Sequence, residues 1–131
     1  MEKRIQSKRI YDGKIIKVDV DDVELINQKQ TKREVVIHNG GVGILAIVDD
    51  KIILVKQYRY PHHDFLVEIP AGKIEIGEDP YDTGMREIEE ETGYHAKSMN
   101  LITKMIPTPG YSSEVIHIYE AVDVQIAINP L

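Results

Sequence analysis

Cysteine is absent from the 131 residues of this chain, which excludes a disulfide framework, a thiolate metal site and a thiol nucleophile. Long apolar runs are absent too: nothing approaches the roughly 18 apolar residues that a membrane-spanning helix needs. The opening stretch, MEKRIQSKRIYDGK, lacks the apolar centre of a secretory signal. Internal repeats, low-complexity tracts and linkers are missing as well. What is left is the expectation of a cytoplasmic protein, one domain in length and able to bury a single substantial core. Its hydrophobic fraction of 42% and charged fraction of 29% are ordinary for a soluble globular protein.

Positive charge is scarce in one place. Between Glu75 and Glu91 lie eight acidic residues and one base, Arg86, for a net charge of −7; the other 14 acids and 15 bases give +1. The acidity of the chain, −6 in all, therefore belongs to one segment. Such a patch repels nucleic acid and gathers cations. The basic runs KRIQSKR and KQTKR are explained as solvated strand ends, so neither nucleic acid nor membrane is expected as a partner.

The first half reads as strands. KIIKVDVDDVELI alternates apolar and polar residues, NQKQTK supplies a turn and REVVIH returns, so Lys14 to His38 is expected to form a long hairpin. The segment from Met1 to about His38 is then a small antiparallel sheet (region 1–38), followed by a core region, 39–131. GVGILAIV suits a buried strand, Asp49-Asp50 a turn, and KIILVKQYRY another strand with Lys56 and Arg59 near its end. FLVEIP is a shorter strand closed by Pro70. AKSMNLITKMI and VIHIYEAV read as strands around the turn-rich PTPGYSSE, and the tail DVQIAINPL has no clear period. The fold class is α+β.

One helix is expected from Asp79, a favoured N-cap, with Pro80 at its first position and Gly93 as its stop. At about 100° per residue, Glu87, Glu90 and Glu91 fall within roughly one 100° arc. Tyr81, Met85, Ile88 and Thr92 take another side, where they can pack on a sheet. Arg86 reaches Glu90 at i,i+4, a contact worth only about 0.3–0.5 kcal/mol, and Glu89 points elsewhere, to water. Crowded carboxylates are the ligand set of hard cations such as Mg²⁺ or Mn²⁺. They are also what an idle solvated helix face looks like. Gly84 is out of place, since glycine costs about 1 kcal/mol relative to alanine inside a helix.

The stretch from Gly72 to Tyr94 resembles the Nudix box. Five residues separate Gly72 from Glu78 and seven separate Glu78 from Arg86; Glu87, Ile88, Glu90, Glu91 and Gly93 follow at the family's spacing. Tyr94 departs mildly, being aromatic where an aliphatic residue is commoner. The resemblance extends through TKREVVIHNGGVGILAIV, VKQYRYP, VEIPAGKIE and TPGYSSEVIHIYEA to the ADP-ribose pyrophosphatase subgroup, which is marked by a proline about sixteen residues after the box. Pro109 lies sixteen residues beyond Gly93. The implied fold is an α/β/α sandwich with a mixed sheet, preceded by the N-terminal sheet through which such proteins commonly form homodimers.

The resemblance also implies roles. Glu87 and Glu91 are the main ligands of Mg²⁺ or Mn²⁺, Glu90 joins them or orients a water, and the carbonyl of Ala71 completes the site. Arg86 braces the glutamates and Glu78 fastens loop to helix. Arg59, Arg33 and Glu68, with Pro109 and Gly110, belong to the binding of a nucleoside diphosphate sugar. The implied reaction is metal-dependent hydrolysis of ADP-ribose to AMP and ribose 5-phosphate, the cation offsetting the repulsion between diphosphate and acidic helix. His38, His62, His63, His95 and His117 are possible acid–base groups that their spacing does not distinguish.

Subgroup members usually continue past VIHIYEAV with an acidic loop, a source of the base or of another metal ligand, and a covering helix. Here DVQIAINPL ends at Leu131, so a C-terminal helix is expected to be missing. Glu114 and Glu120 are the only acids of the final strand region, and Glu114 is the candidate base there. A catalytically weak sensor of ADP-ribose, or a truncated inactive fragment, would carry the same sequence.

Overall fold

The computed structural model describes residues 1–127, an α+β chain in two compact units. The first unit comprises Met1–Asn39 and Ile106–Val115. Strands β1 (Lys3–Asp12), β2 (Lys17–Glu24) and β3 (Gln30–Ile37) form an antiparallel sheet in that order. β2 and β3 are the hairpin read from the sequence, closed where Gln28 takes a φ of 68°. β1 adds a strand that the alternation did not reveal. Its pairing with β2 slips between Arg4 and Gln6 and again between Arg9 and Tyr11, and each slip moves the following side chains to the other face. Ile106–Val115 is laid along β3 by backbone bonds: Val36 N–H donates to Tyr111 O (2.6 Å) and Ser113 N–H to Val36 O (2.9 Å).

The second unit takes in Gly40–Met105 and the chain from Ile116 onward. Its mixed sheet runs in the order β10 (Tyr94–Met105), β11 (Ile116–Ile126), β4 (Gly41–Leu45), β9 (Ala71–Lys73). β11 and β4 are parallel and the outer pairings antiparallel. KIILVKQYRY divides in two, because its halves pair with different partners. β6 (Lys51–Ile52) joins β5 (Ile47–Val48) around Asp49 and Asp50, both at positive φ as a tight two-residue hairpin demands. β7 (Val55–Arg59) joins β8 (Asp64–Glu68) around a 3-10 turn, Tyr60–His62. The tail also differs from expectation: Asp123 to Ile126 continues β11 against β10. Asp123 sits at φ 52° within it, with the register the same on either side (Ser98 opposite Val122, Ala96 opposite Val124).

Helix α1 (Pro80–Thr92) begins and ends where its capping residues indicate. Pro80 occupies the first turn, and Gly93, at φ 75°, donates its N–H to Glu89 O (2.9 Å). The helix lays Ile88 into a core with Val42, Ile44, Ala46, Ala96, Met99 and Tyr119, and Tyr81 and Met85 pack at its edge. Gly84 is explained by this packing. A Cβ there would stand 2.7 Å from Met99 Cε and 3.1 Å from Val42 Cγ1, so glycine lets the helix approach the sheet closely. Among the described residues α1 is the only α-helix; Ile128 to Leu131 lie outside the described residues. No helix among them is long and apolar enough to cross a membrane.

Candidate active site

The glutamate face of α1 is organised by Arg86. Its Nε and Nη2 donate to the two carboxylate oxygens of Glu78 (3.1 and 3.0 Å), and Nη1 donates to both Glu87 Oε1 and Glu90 Oε2 (3.0 Å each). One guanidinium therefore ties the loop before the helix to two of the helix carboxylates. Glu78 also accepts from the backbone N–H of Glu75 (3.3 Å). The Arg86 hydrogen bonds, helped by Thr83, hold the Glu78 carboxyl down to about 2. Thr83 is fully buried and donates to Asp79 O (3.1 Å). Sequence reading missed it; its only signal was a polar residue beside Gly84, on the side of the helix that meets the sheet.

Glu87 has the opposite environment. Its side chain is only 12% exposed and lies across the backbone of Gly72, where a Cβ would come within 2.2 Å of Glu87 Cδ. Burial raises its pKa above the usual carboxylate value, the negative fields of Glu90 and Glu91 add to the rise, and Arg86 opposes it. A carboxylate kept in low-dielectric surroundings beside two others is short of positive charge. The absence of a side chain at Gly72 is what admits the side chain of Glu87.

Arg59 stands at the end of β7. Its Nε and Nη2 donate to Glu68 Oε2 and Oε1 (2.8 and 2.7 Å). That bond, and to a smaller degree the fields of Glu68 and Glu91, raise its pKa. Arg59, Glu68, Arg86, Glu87, Glu90 and Glu91, with Ala71 at the start of β9, all belong to the second unit. Arg33, Pro109 and Gly110 belong to the first. There Arg33 makes a two-pronged bond to Glu2 (2.9 and 3.1 Å), while Pro109 and Gly110 are exposed after Thr108, which has a φ of 44°. Glu114 lies in the same unit, 3.4 Å from His38 Nδ1. Glu89, expected to face water, has an exposed side chain that also bonds His95 Nδ1.

With Arg86 engaging one oxygen on each of Glu87 and Glu90, no three acidic or histidine side chains among the described residues already stand close enough to enclose an ion. The donor chemistry nevertheless fits a hard divalent cation. Each carboxylate keeps acceptor capacity beyond its bond to Arg86, and the partly buried Glu87, pressed against Gly72 beside two further negative charges, is the group whose ionised form such a cation would relieve.

Residues 37–131 match the model of the NUDIX domain, and residues 2–36 that of the nucleoside diphosphate sugar hydrolase N-terminal domain. The chain is 48% identical over 126 residues to the ADP-ribose pyrophosphatase of Bacillus subtilis, covering 95% of this chain and 68% of that protein. It is also 48% identical to the methanol dehydrogenase activator of Bacillus methanolicus, over 92% of this chain and 65% of the relative. It thus spans about two thirds of the length of each. A crystal structure of an ADP compounds hydrolase superposes with a TM-score of 0.87 at 25% identity, over 99% of this chain and 71% of the other.

Proposed function

The chain belongs to the Nudix hydrolase family, and from that premise we propose that it hydrolyses the diphosphate of a nucleoside diphosphate sugar, with ADP-ribose yielding AMP and ribose 5-phosphate. The observation that carries this reading is the Glu87 carboxylate, packed over Gly72 and held by Arg86 beside Glu90 and Glu91. A free diphosphate would be repelled from this face. With a divalent cation between them, the same carboxylates become a seat for it.

Nudix hydrolases depend on divalent metal, and here Mg²⁺ or Mn²⁺ is the proposed ion. Glu87 and Glu91 are its main side-chain ligands, Glu90 joins them or orients the attacking water, and the Ala71 carbonyl adds a backbone oxygen. When bound, the ion supplies neutralisation of the phosphoryl oxygens and a water of lowered pKa. The chain's own residues do the rest. Arg86 fixes the carboxylates through its bonds to Glu87 and Glu90, and Glu78 anchors Arg86 to the loop. Arg59, with Glu68 beside it, meets the anionic substrate. Hydrolysis adds water across the P–O–P bond: the water oxygen bonds one phosphorus, the bridging oxygen leaves with the other, and a bound cation would offset the charge released. The protein is proposed to act in the cytoplasm as a homodimer paired through the N-terminal sheet.

The test is ADP-ribose incubated with the purified chain and Mg²⁺, scored for AMP, alongside NADH, diadenosine polyphosphates and other sugar nucleotides. AMP formation that requires the divalent ion and disappears in Glu91→Gln supports the reading. Binding of ADP-ribose without AMP under any divalent ion contradicts it.

A further inference from the structure

β7 and β8 pair so that Arg59 faces Asp64 directly, while Glu68 faces Val55 at the other end of the ribbon. Opposite residues of an antiparallel pair are natural partners, and an acid stands ready at 64. Arg59 bypasses it. Asp64 turns its Oδ1 to the backbone N–H of Phe65 (2.8 Å), and the arginine runs back along the ribbon to Glu68. Four residues of strand separate the two register positions, about 13 Å at strand rise. A long side chain is thus held extended against an abundance of alternative rotamers.

The atoms used matter. Glu68 takes Nε and one hydrogen of Nη2, which is one edge of the guanidinium. The adjoining edge, Nη1 with the second hydrogen of Nη2, makes no other hydrogen bond among the described residues. A guanidinium has five N–H donors in a planar fork, so fixing one edge fixes the direction of the other. Glu68 directly precedes Ile69 and Pro70, which lead into Ala71 and Gly72, the backbone beneath Glu87. Glu91 is near enough for its field to be felt at Arg59.

We infer that Glu68 is a positioning residue rather than a substrate ligand: it holds Arg59 by one edge so that the free edge clamps a phosphate oxygen pair of the nucleoside diphosphate beside Glu91. This rests on the hydrolase reading above. It refines the role expected for Glu68, which acts through Arg59 and touches neither substrate nor metal. Two-pronged phosphate recognition is what the planar fork offers and an ammonium cannot reproduce.

The test is a coupling cycle over wild type, Glu68→Gln, Arg59→Ala and the double variant, each checked for folding by thermal melting. Kinetics on ADP-ribose with Mg²⁺ are read beside calorimetric binding of the non-hydrolysable α,β-methylene analogue. Glu68→Gln is expected to raise KM and weaken analogue binding about 10-fold, with kcat changed by less than about 3-fold. In the Arg59→Ala background the same change is expected to add nothing, because the group it orients is gone. Arg59→Lys should fare no better than Arg59→Ala. Unchanged KM in Glu68→Gln, or a full 10-fold loss on top of Arg59→Ala, overturns the inference and makes Glu68 inert or a direct ligand. A wild type that binds the analogue but does not hydrolyse ADP-ribose removes the hydrolase reading while the binding cycle still decides the role of Glu68. A wild type that does not bind the analogue overturns both.

Discussion

Glu87 crosses the backbone of Gly72 so closely that a Cβ at 72 would stand 2.2 Å from its Cδ and 2.5 Å from both Cγ and Oε1. The glycine is required by the space the carboxylate occupies. Gly72→Ala is therefore expected to push Glu87 off its position while leaving the fold intact. A displacement on the scale of one ångström at a reacting centre costs about 100-fold in rate. Steady-state hydrolysis of ADP-ribose, with circular dichroism as the folding control, checks this. Rates within about 3-fold of wild type would show that the position of Glu87 is immaterial.

The same contact has a cost in stability. The folded-state pKa of Glu87 is raised above its ordinary 4.5, chiefly by burial, so at neutral pH its charge disfavours the folded state, and the penalty vanishes once both states are protonated at low pH. Glu87→Gln is expected to raise the melting temperature of the metal-free protein while abolishing turnover. Millimolar Mg²⁺ should raise the melting temperature of wild type and leave this variant unmoved. A variant that melts lower than wild type in the absence of metal would contradict the argument.

Glu78 titrates with the opposite sign. Arg86 holds its folded-state pKa down to about 2, against 4.5 ordinarily. Its contribution is fully present above 4.5 and fades as pH falls through that window toward 2. Melting curves of wild type and Glu78→Gln should differ most above pH 4.5 and converge toward pH 2. A gap that stays constant across the window would mean that the pair contributes nothing through ionisation.

Gly84 tests the packing of the helix on the sheet. Alanine there gains about 1 kcal/mol of helix propensity, but its Cβ meets Met99 Cε at 2.7 Å and buried Val42 Cγ1 at 3.1 Å. Overpacking a tight core costs about 1–3 kcal/mol, so a net loss of about 1 kcal/mol is expected in urea unfolding. Met99 ends in a flexible group, and Met99→Ala should relieve part of the strain, making the pair of substitutions less than additive. A stabilised Gly84→Ala protein would show that the helix has room to spare.

The site was legible where local chemistry decides it. Asp79, Pro80 and Gly93 marked the ends of α1, and the spacing of Glu87 and Glu90 set them beside Arg86. Legibility failed where side chains or strands depart from their nearest neighbours. The bulges of β1 break the two-residue period on which strand reading relies. Arg59 passes over Asp64 to reach Glu68, and Glu89 finds His95 on the next strand, because the reach of a long side chain is not written in register. Gly84 made no sense until Met99 and Val42 were seen against it.

The account rests on the carboxylate face of α1 as the seat of a divalent ion, and anomalous diffraction from crystals grown with Mn²⁺ examines it most directly. The expected result is an anomalous peak about 2 Å from oxygens of Glu87 and Glu91, weakened or lost in Glu91→Gln crystals. A wild-type map with no peak against these side chains, at Mn²⁺ concentrations that support turnover, would contradict it.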